Sequence, residues 1–266
     1  MDNNQRDEKG HHLYRDRINI DFLIHDLKSP LVVVEAGISA LLNSTKKYGP
    51  LTEKQERVLK RALRNTKFTQ ALVKDTLELG RSREGVFKIV ACRVSNLILK
   101  VLVEVLDRAD VKTSEKIKDC ADLSRLREIL QEKGISLFIN EGLWLREIYL
   151  DELKIKQIFR NLLSNALKYR KSRVELALEE KDGGLVFSVK DDGQGIKPIY
   201  HKKIFECYFQ ADGTNYINEC GVRGHGLGLA CVKILSEDMG GKLFLESDEG
   251  KGTKFLVKVP LANKIS

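Results

Sequence analysis

Residues 20–41 read IDFLIHDLKSPLVVVEAGISAL and decide the first part of the fold. Apolar side chains recur in this stretch at alternating spacings of four and three residues, which is the a/d pattern of a heptad repeat. The pattern predicts one long helix, ending near Lys47, whose apolar seam packs against a partner helix. The seam residues are Ile20, Ile24, Leu27, Leu31, Val34, Ile38 and Leu41.

A histidine lies at the edge of this seam, in the hexapeptide His25-Asp26-Leu27-Lys28-Ser29-Pro30. His25 follows a seam residue, so we expect its imidazole beside the buried stripe and within reach of solvent. Ser29 lies one turn further on the same face. Pro30 removes a backbone N–H and is expected to kink the helix just after the histidine. These residues alone fit either a solvated surface pair or a functional site.

The chain of 266 residues is long enough for two domains. With 42% apolar and 32% charged residues, it has the composition of a soluble globular protein. No apolar run approaches the ~20 residues that a membrane-spanning helix needs. Residues 1–17 are polar and charged, unlike a secretory signal. The sequence therefore predicts a cytoplasmic location and no membrane segment in this chain.

The net charge of +8 raises the question of nucleic-acid binding. The 46 basic residues are interleaved with 38 acidic ones and form no extended basic block, so a nucleic acid is not an expected partner. A solvated surface accounts for most of this charge, and some of it suits a phosphorylated ligand or an acidic partner. The five cysteines form no Cys-x-x-Cys pair, which favours reduced thiols over metal or disulfide sites.

A break at Tyr48-Gly49-Pro50 separates the first helix from a second, which is predicted to end between residues 80 and 85. Thr52 is the predicted cap of the second helix, and Gln55 completes a capping box. Two helices joined by a short turn form an antiparallel hairpin, which cannot bury its apolar stripes alone. We therefore expect a homodimer in which two hairpins form a four-helix bundle. Packing on the rest of the same chain is the alternative.

From residue 86 onward the hydrophobic period changes, and predicted helices alternate with strands. Antiparallel strand pairs close the chain, which predicts a mixed sheet covered by helices on one face and an α+β fold for the whole. Helices are predicted at 94–106, 150–169 and 230–239, and Asp151 is the predicted start of the second of these. Strands are predicted at 86–90, 134–139, 173–178, 185–189, 243–247 and 253–259, with turns at 181–184 and 248–252, while residues 107–122 are not assigned.

One motif lies on the helix predicted at 150–169. Asn161 and Asn165 are four residues apart and share one face, with Lys168 and Tyr169 a further turn along. Amide oxygens suit Mg²⁺, and the lysine ammonium suits phosphate. This face of the helix is therefore a candidate site for a metal and a polyphosphate.

Two glycine-rich motifs follow. Asp191-Asp192-Gly193-Gln194-Gly195-Ile196 comes directly after a strand, where glycines let the backbone approach a flat ligand and a carboxylate can accept from an exocyclic amine. Gly224-His225-Gly226-Leu227-Gly228-Leu229 opens a helix, whose amino-terminal N–H groups suit phosphate. Each motif is a weak signal alone, and the three together, after a histidine-bearing helix, are a strong one.

This combination resembles the sensor histidine kinases of two-component signalling from about residue 18 to residue 260. In the wider superfamily of DNA gyrase, mismatch-repair ATPases and heat-shock chaperones, only the kinases place a histidine helix before this nucleotide-binding fold. The matching boxes are His25–Pro30 (phosphoacceptor), Asn161–Tyr169 (N box), Asp191–Ile196 (first glycine box), Ile204–Phe209 (F box), Gly224–Leu229 (second glycine box) and Gly250–Thr253 (turn before the last strand).

The resemblance implies a dimerisation and phosphotransfer hairpin at 16–84 and an ATP-binding α/β sandwich at 85–262, between tails at 1–15 and 263–266. His25 would be the nucleophile, with Asp26 as the adjacent base, and residues 207–223 would form a lid over the nucleotide. Asn165, assisted by Asn161, would hold Mg²⁺. The implied ATP contacts are Asn161, Asn165, Lys168, Tyr169, Asp191, Gly193, Gly195, Ile196, Gly224, Gly226, Leu227, Gly228 and Thr253.

The implied function is that of an ATP-dependent protein-histidine kinase, which modifies His25 and passes the phosphoryl group to an aspartate of a response-regulator receiver domain. Ser29, where the family usually has threonine or asparagine, keeps a hydroxyl that would support phosphatase activity. Two positions depart from the family: Cys207 stands in place of a proline and Arg170 in place of a small polar residue. The sensor module would belong to a separate protein or to a longer chain.

Two other functions compete with this interpretation. One is a catalytically silent dimeric scaffold that binds nucleotide and docks a response regulator. The other is an ATP hydrolase of the chaperone or topoisomerase kind, which would not need His25.

Overall fold

The computed structural model describes residues 20–83, 88–107, 110–120, 122–207, 209 and 226–262. The chain divides into two compact units, the first ending at Gly80 and the second beginning at Arg81. The tails expected at 1–15 and 263–266 lie outside the described residues. Among the helices that the structure describes, none is long and apolar enough to cross a bilayer.

The first unit consists of helices. They are α1 (Ile20–Asn43), the single turn α2 (Thr45–Tyr48) and most of α3 (Glu53–Arg83). The single helix expected up to Lys47 is interrupted at Ser44, and the short turn α2 then continues to Tyr48.

A capping box fixes the start of α3. The Thr52 N–H donates to Gln55 Oε1 at 2.9 Å, and the Gln55 N–H donates to Thr52 Oγ1 at 3.3 Å. The predicted cap is therefore confirmed, and it satisfies two of the backbone donors that a helix start leaves without partners.

The two long helices run side by side in opposite directions. Gln70 Nε2 on α3 donates to Glu35 Oε2 on α1 at 3.0 Å, and Lys67 Nζ lies 3.6 Å from Glu35 Oε1. The heptad seam is only partly covered in the part of the chain that the structure describes. Leu27 is 46% and Val34 47% exposed, the other described seam residues are half-buried, and none of the described α1 side chains is buried. A partner helix from a second copy remains a prediction.

The second unit is built on a five-stranded sheet in the order β2, β4, β5, β7, β6. β2 and β4 are parallel and the other neighbours are antiparallel, so the predicted mixed sheet is confirmed. Its strands are β2 (Ile135–Phe138), β4 (Val174–Lys181), β5 (Gly184–Asp191), β6 (Lys242–Asp248) and β7 (Gly252–Pro260), while β1 (Val90–Arg93) and β3 (Glu147–Leu150) form a separate antiparallel pair.

Helices cover one face of this sheet. Along β7 the side chains alternate between buried and half-buried, as expected when only one face is packed. Phe159 of α8 and Phe187 of β5 meet in the core with ring centres 5.5 Å apart. The helices of this unit are α4 (Val94–Leu106), α5 (Val111–Lys118), α6 (Leu123–Gln131), α7 (Glu141–Leu145), α8 (Glu152–Tyr169) and α9 (Gly228–Asp238).

One predicted strand needs correction, and the stretch without an assignment contains a helix. The strand expected at 86–90 instead occupies Val90–Arg93, because its pairing with β3 sets its position; residues 86 and 87 lie outside the described part of the chain. The unassigned stretch 107–122 contains α5, which Asp110 caps by accepting from the Thr113 N–H at 3.1 Å. Asp122 caps the following helix α6 in the same way.

Candidate active site

Several predicted site residues meet at one end of the five-stranded sheet. Helix α8 begins as predicted at Asp151, whose carboxylate accepts from the Lys154 N–H at 3.1 Å. The cap sets the helical register, which turns the apolar residues into the core and leaves Asn161 and Asn165 half-buried on a common face. The amide groups expected to bind a ligand are thus neither fully buried nor fully solvated.

Asn161 links α8 to the start of α9. Its Nδ2 donates to the Gly228 carbonyl at 3.2 Å, and a Cβ added at Gly228 would lie 3.8 Å from Asn161 Cγ. This contact holds the second glycine box against the N box. The two boxes must lie close together if they bind the same nucleotide, as the sequence interpretation expects. With the amide nitrogen used in this bond, the Asn161 oxygen remains for a ligand.

Asn165 and Lys168 supply further polar groups on α8. Among the residues that the structure describes, the half-buried Asn165 side chain has no hydrogen-bond partner. Lys168 Nζ lies 4.7 Å from the centre of the Tyr169 ring, within the range of a cation–π contact. Two amide oxygens and an ammonium are a donor set that fits Mg²⁺ and phosphate.

Asp191 is the buried carboxyl of the site and closes β5. It is 6% exposed, and Asp191 Oδ1 accepts from the Gly193 N–H at 2.9 Å. The Thr253 backbone N–H also donates to this carboxyl. Burial raises the pKa of Asp191, and the two backbone donors oppose that rise. A carboxylate held in this way is a strong acceptor for an amine hydrogen.

The neighbouring Asp192 has a structural role. Its carboxylate accepts hydrogen bonds of 2.9 to 3.2 Å from the backbone N–H groups of residues 171–173, and Ser172 Oγ donates to it at 2.7 Å. Partial desolvation opposes ionisation, but the bonds from Ser172, Arg173 and Lys171 outweigh it and hold the pKa of Asp192 well below its usual range. The two adjacent aspartates therefore differ in role: Asp191 is the candidate ligand-binding carboxyl, and Asp192 stabilises the backbone of residues 171–173.

Replacement of Asp192 by alanine should lower the free energy of unfolding by about 1–3 kcal/mol at pH 7, because several backbone donors lose their acceptor. The folded-state pKa lies below the unfolded value of about 3.9. The contribution is therefore complete above about pH 4 and is lost as the pH falls through the folded pKa. Urea unfolding of wild type and Asp192→Ala between pH 7 and pH 3 measures this difference.

The matched control for Asp192 is the exposed Asp119, at the carboxyl end of α5. Asp119→Ala should leave unfolding nearly unchanged at every pH. A loss from Asp192→Ala that is no larger than the control's, or that grows on acidification, would contradict the assignment.

Close backbone approaches explain the glycines of the first glycine box. A Cβ at Gly193 would lie 2.6 Å from Asp191 Oδ1 and would collide with the Tyr169 carbonyl. Gly195 has φ +71, and a side chain there would collide with the Asp248 carbonyl of the last hairpin. The two positions bring the end of α8 and the β6–β7 turn against the loop after β5.

Ser247, on β6, is a site residue that the sequence interpretation missed. The Ile196 N–H donates to Ser247 Oγ at 2.9 Å, and Ser247 Oγ donates to the Gly252 carbonyl at 2.9 Å. The same oxygen lies 3.1 Å from Thr253 Oγ1. The sequence signal for it was the hairpin predicted around residues 248–252, which places Ser247 opposite Thr253.

The start of α9 offers backbone donors. Its N-cap residue is Leu227, which has no side-chain acceptor and is 1% exposed, and Gly226 before it has φ +68. Among the described residues, no side chain caps the first N–H groups of this helix, and such groups suit an anionic ligand. Gly224 and His225 lie outside the described residues.

The F box packs on the sheet. Ile204 is buried, and the rings of Phe205 and Phe255 meet edge to face with centres 6.3 Å apart. Cys207 is exposed. Tyr208 and residues 210–225, which include most of the expected lid, are outside the described part of the chain.

The predicted phosphoacceptor residues lie on α1, in the other unit. His25 belongs to the helix, and its side chain is outside the described part of the chain. Asp26 and Ser29 are exposed on the same helix. α1 continues through Pro30 as a helix.

Known proteins resemble both units. Residues 150–263 match the family model described as histidine kinase-, DNA gyrase B-, and HSP90-like ATPase. The chain is 33% identical over 254 residues to the autoinducer 2 sensor kinase/phosphatase LuxQ of Vibrio cholerae, a match that covers 92% of this chain and 26% of LuxQ. It is 30% identical over 239 residues to the circadian input-output histidine kinase CikA of Synechococcus elongatus, covering 89% of this chain and 29% of CikA. It therefore spans about a quarter of the length of these relatives.

Two solved structures also resemble this chain. Full-length ShkA in complex with AMPPNP superposes with a TM-score of 0.62 at 26% identity, covering 93% of this chain and 46% of ShkA. The Acinetobacter baumannii histidine kinase AdeS superposes with a TM-score of 0.54 at 16% identity, covering 90% of this chain and 98% of AdeS, which indicates a shared fold.

Proposed function

The chain belongs to the sensor histidine kinases, and from that premise we propose that it uses ATP to phosphorylate His25 and passes the phosphoryl group to an aspartate of a response-regulator receiver domain. The observation that carries the proposal is the meeting of three motifs in one site. Asn161 bonds to Gly228, and Gly193 closes against both Tyr169 and Asp191. The site offers groups that suit both a polyphosphate and a purine base.

The nucleotide would lie between α8, the start of α9 and the ends of β5 and β7. Asp191 would accept from the amino group of adenine. Lys168 and the first N–H groups of α9 would meet the phosphates. Gly193, Gly195, Ile196 and Thr253 would shape the base pocket, and Tyr169 would stack near the base. The other proposed contacts on the phosphate side are Gly224, Gly226, Leu227 and Gly228.

A divalent cation fits the amide oxygens of this site. Asn165, assisted by the Asn161 oxygen, would hold Mg²⁺, which when bound neutralises charge on the phosphates. Asn161 keeps its oxygen on the ligand side because its nitrogen is engaged with Gly228. The protein's own part is to orient the phosphates, since phosphoryl transfer depends mainly on position and charge.

At His25, a ring nitrogen would attack the γ-phosphorus. A P–N bond forms as the bond to the β-phosphate oxygen breaks, and ADP leaves. Asp26 would accept the proton of the other ring nitrogen, which keeps the attacking lone pair available. Ser29, on the same helix face, would orient a water for the reverse function, removal of phosphate from the receiver.

The partly exposed seam of α1 supports a homodimeric first unit. Its a/d residues Leu27 and Val34 are exposed, and a second hairpin would cover them in a four-helix bundle. We thus propose a homodimer that binds a receiver domain. Its signal would come from a sensor module in a separate protein or in a longer chain. The proposed site of action is the cytoplasm.

Incubation with Mg²⁺ and ATP labelled on the γ-phosphate is expected to leave label on the protein, because the phosphoryl group moves to a histidine. The bond should survive alkali and be lost in acid, which distinguishes a phosphohistidine from a phosphoserine. Addition of receiver domains should then move the label to one of them. Denaturing electrophoresis after alkali or acid treatment measures each step.

Two outcomes would contradict the kinase proposal. Nucleotide binding without any protein label would favour the silent scaffold. Release of phosphate in excess of protein, with no label retained, would favour an ATP hydrolase.

A further inference from the structure

Three polar side chains form a lateral row at the end of the sheet. Asp191 on β5 lies opposite Thr253 on β7, and Thr253 lies opposite Ser247 on β6. Residues directly opposite each other on neighbouring strands point to the same face. Asp191 and Thr253 are 6% and 7% exposed, and Ser247 is half-buried. The row therefore crosses three neighbouring strands at the end of the sheet where the proposed base pocket lies.

The number of protons fixes the direction of the hydrogen bonds in this row. A hydroxyl has one proton and two acceptor lone pairs. The Gly252 carbonyl can only accept, so the Ser247 proton is used in that 2.9 Å bond. The Ile196 N–H and Thr253 Oγ1 must then both donate to Ser247 Oγ, at 2.9 and 3.1 Å.

This arrangement uses the only proton of Thr253. Its hydroxyl therefore turns lone pairs, and no donor, toward any group on its other side. Asp191 beside it is also an acceptor, since Gly193 and Thr253 donate to it through their backbone N–H groups. The pocket wall thus presents acceptors at two adjacent positions.

We propose that Ser247 is a positioning residue that determines nucleobase specificity: by accepting the Thr253 proton, it makes Thr253 an acceptor and so favours a 6-amino purine over a 6-oxo purine. This inference rests on the proposed function, in which the site binds a purine nucleotide. The exocyclic amine of adenine offers two N–H donors. The 6-oxo group of hypoxanthine offers only an acceptor, which two acceptors on the wall repel.

The inference gives Ser247 a role beyond that of holding the loop. If its hydroxyl only joined the loop at Ile196 to the turn at Gly252, its loss would weaken the binding of every nucleotide by the same factor. If it sets the direction of the Thr253 hydroxyl, its loss frees a proton that can rotate toward a 6-oxo group. Binding of ATP then falls while binding of ITP improves relative to it.

The experiment measures the dissociation constants of ATP and ITP by calorimetry for the whole chain, in wild type, Ser247→Ala and Ser247→Thr. The quantity compared is the ratio of the ITP constant to the ATP constant. We expect Ser247→Ala to lower this ratio by about tenfold, which is the effect on affinity of one mismatched hydrogen bond. Ser247→Thr keeps the hydroxyl and should retain the wild-type ratio.

Ser236→Ala is the matched control, since the Ser236 hydroxyl, like that of Ser247, donates to a backbone carbonyl, in this case that of Val232 inside α9. It should leave the ratio at the wild-type value. An unchanged ratio in Ser247→Ala, with ATP still bound, would overturn the inference and leave the proposed function standing. Failure of the wild type to bind ATP would instead overturn the proposed function itself.

Discussion

Replacement of His25 by glutamine is expected to abolish protein phosphorylation while leaving ATP binding at its wild-type level. Glutamine offers no basic nitrogen lone pair to attack phosphorus, so the loss should be complete within detection, more than about a thousandfold. Nucleotide binding should persist because every proposed ATP contact lies in the second unit, beyond Arg81. Label from γ-phosphate ATP and calorimetric titration with ATP measure the two quantities on the same protein.

Lys54→Gln is a suitable comparison for His25→Gln, because Lys54 is an exposed residue of α3 and the substitution also introduces a glutamine in the first unit. It should keep both label and binding. Retention of acid-labile label in His25→Gln would assign the nucleophile to another residue.

Replacement of Asp191 by asparagine should reduce ATP affinity by about a hundredfold or more and remove phosphorylation with it. The buried carboxyl accepts from the Gly193 N–H at 2.9 Å, so the substituted amide would keep its oxygen toward that donor. Its NH₂ group would then face the amine of adenine, donor against donor, in a buried position where mismatched groups are costly. Calorimetry of ATP binding gives the affinity directly.

Two further variants serve as comparisons for Asp191→Asn. Asn165→Asp, which places a negative charge beside the phosphates, is also expected to remove binding and label. Asp182→Asn should change neither, because Asp182 is exposed in the β4–β5 turn with φ 51, a conformation that asparagine also accepts. Full ATP affinity in Asp191→Asn would show that the base pocket lies elsewhere.

Local signals allowed much of the second unit to be predicted. Helix α4 has the bounds predicted for it, and α8 begins after the predicted cap Asp151, because helical periodicity and capping depend on residues close in sequence. The hairpin of β4 and β5 also followed from its turn, where Asp182 and Gly183 both have positive φ. Predicted elements of this kind came within a few residues of their observed bounds.

Features that depend on distant pairing were missed. β3 has four residues, and it forms only because β1 pairs with it about 57 positions earlier, from Val90↔Leu150 to Arg93↔Glu147. Ser247 is similar: its bond with Ile196 joins positions that are 51 residues apart, and its role depends on the register of three strands. A sequence motif alone predicts neither the pairing of β1 with β3 nor the contact between Ser247 and Ile196.

For the candidate site, the sequence predicts which residue types are present. The structure adds which of these residues contact one another. Asn161 and Gly228 were both assigned to the ligand, and the structure shows that they also bond to each other. Of the Asp191-Asp192 pair, only Asp191 is predicted to contact the ligand, and the structure shows that the Asp192 carboxylate instead accepts from the backbone N–H groups of residues 171–173. The direction in which a polar side chain points depends on tertiary neighbours, which a motif does not contain.

The central claim is that a phosphoryl group held by the second unit reaches the imidazole at position 25 of the first. Mass-spectrometric mapping of the protein after incubation with Mg²⁺ and ATP, under alkaline conditions, tests it directly. The account predicts one phosphohistidine, in the peptide that contains His25. Phosphate on any other residue, or an unmodified peptide from protein that has bound ATP, would contradict it.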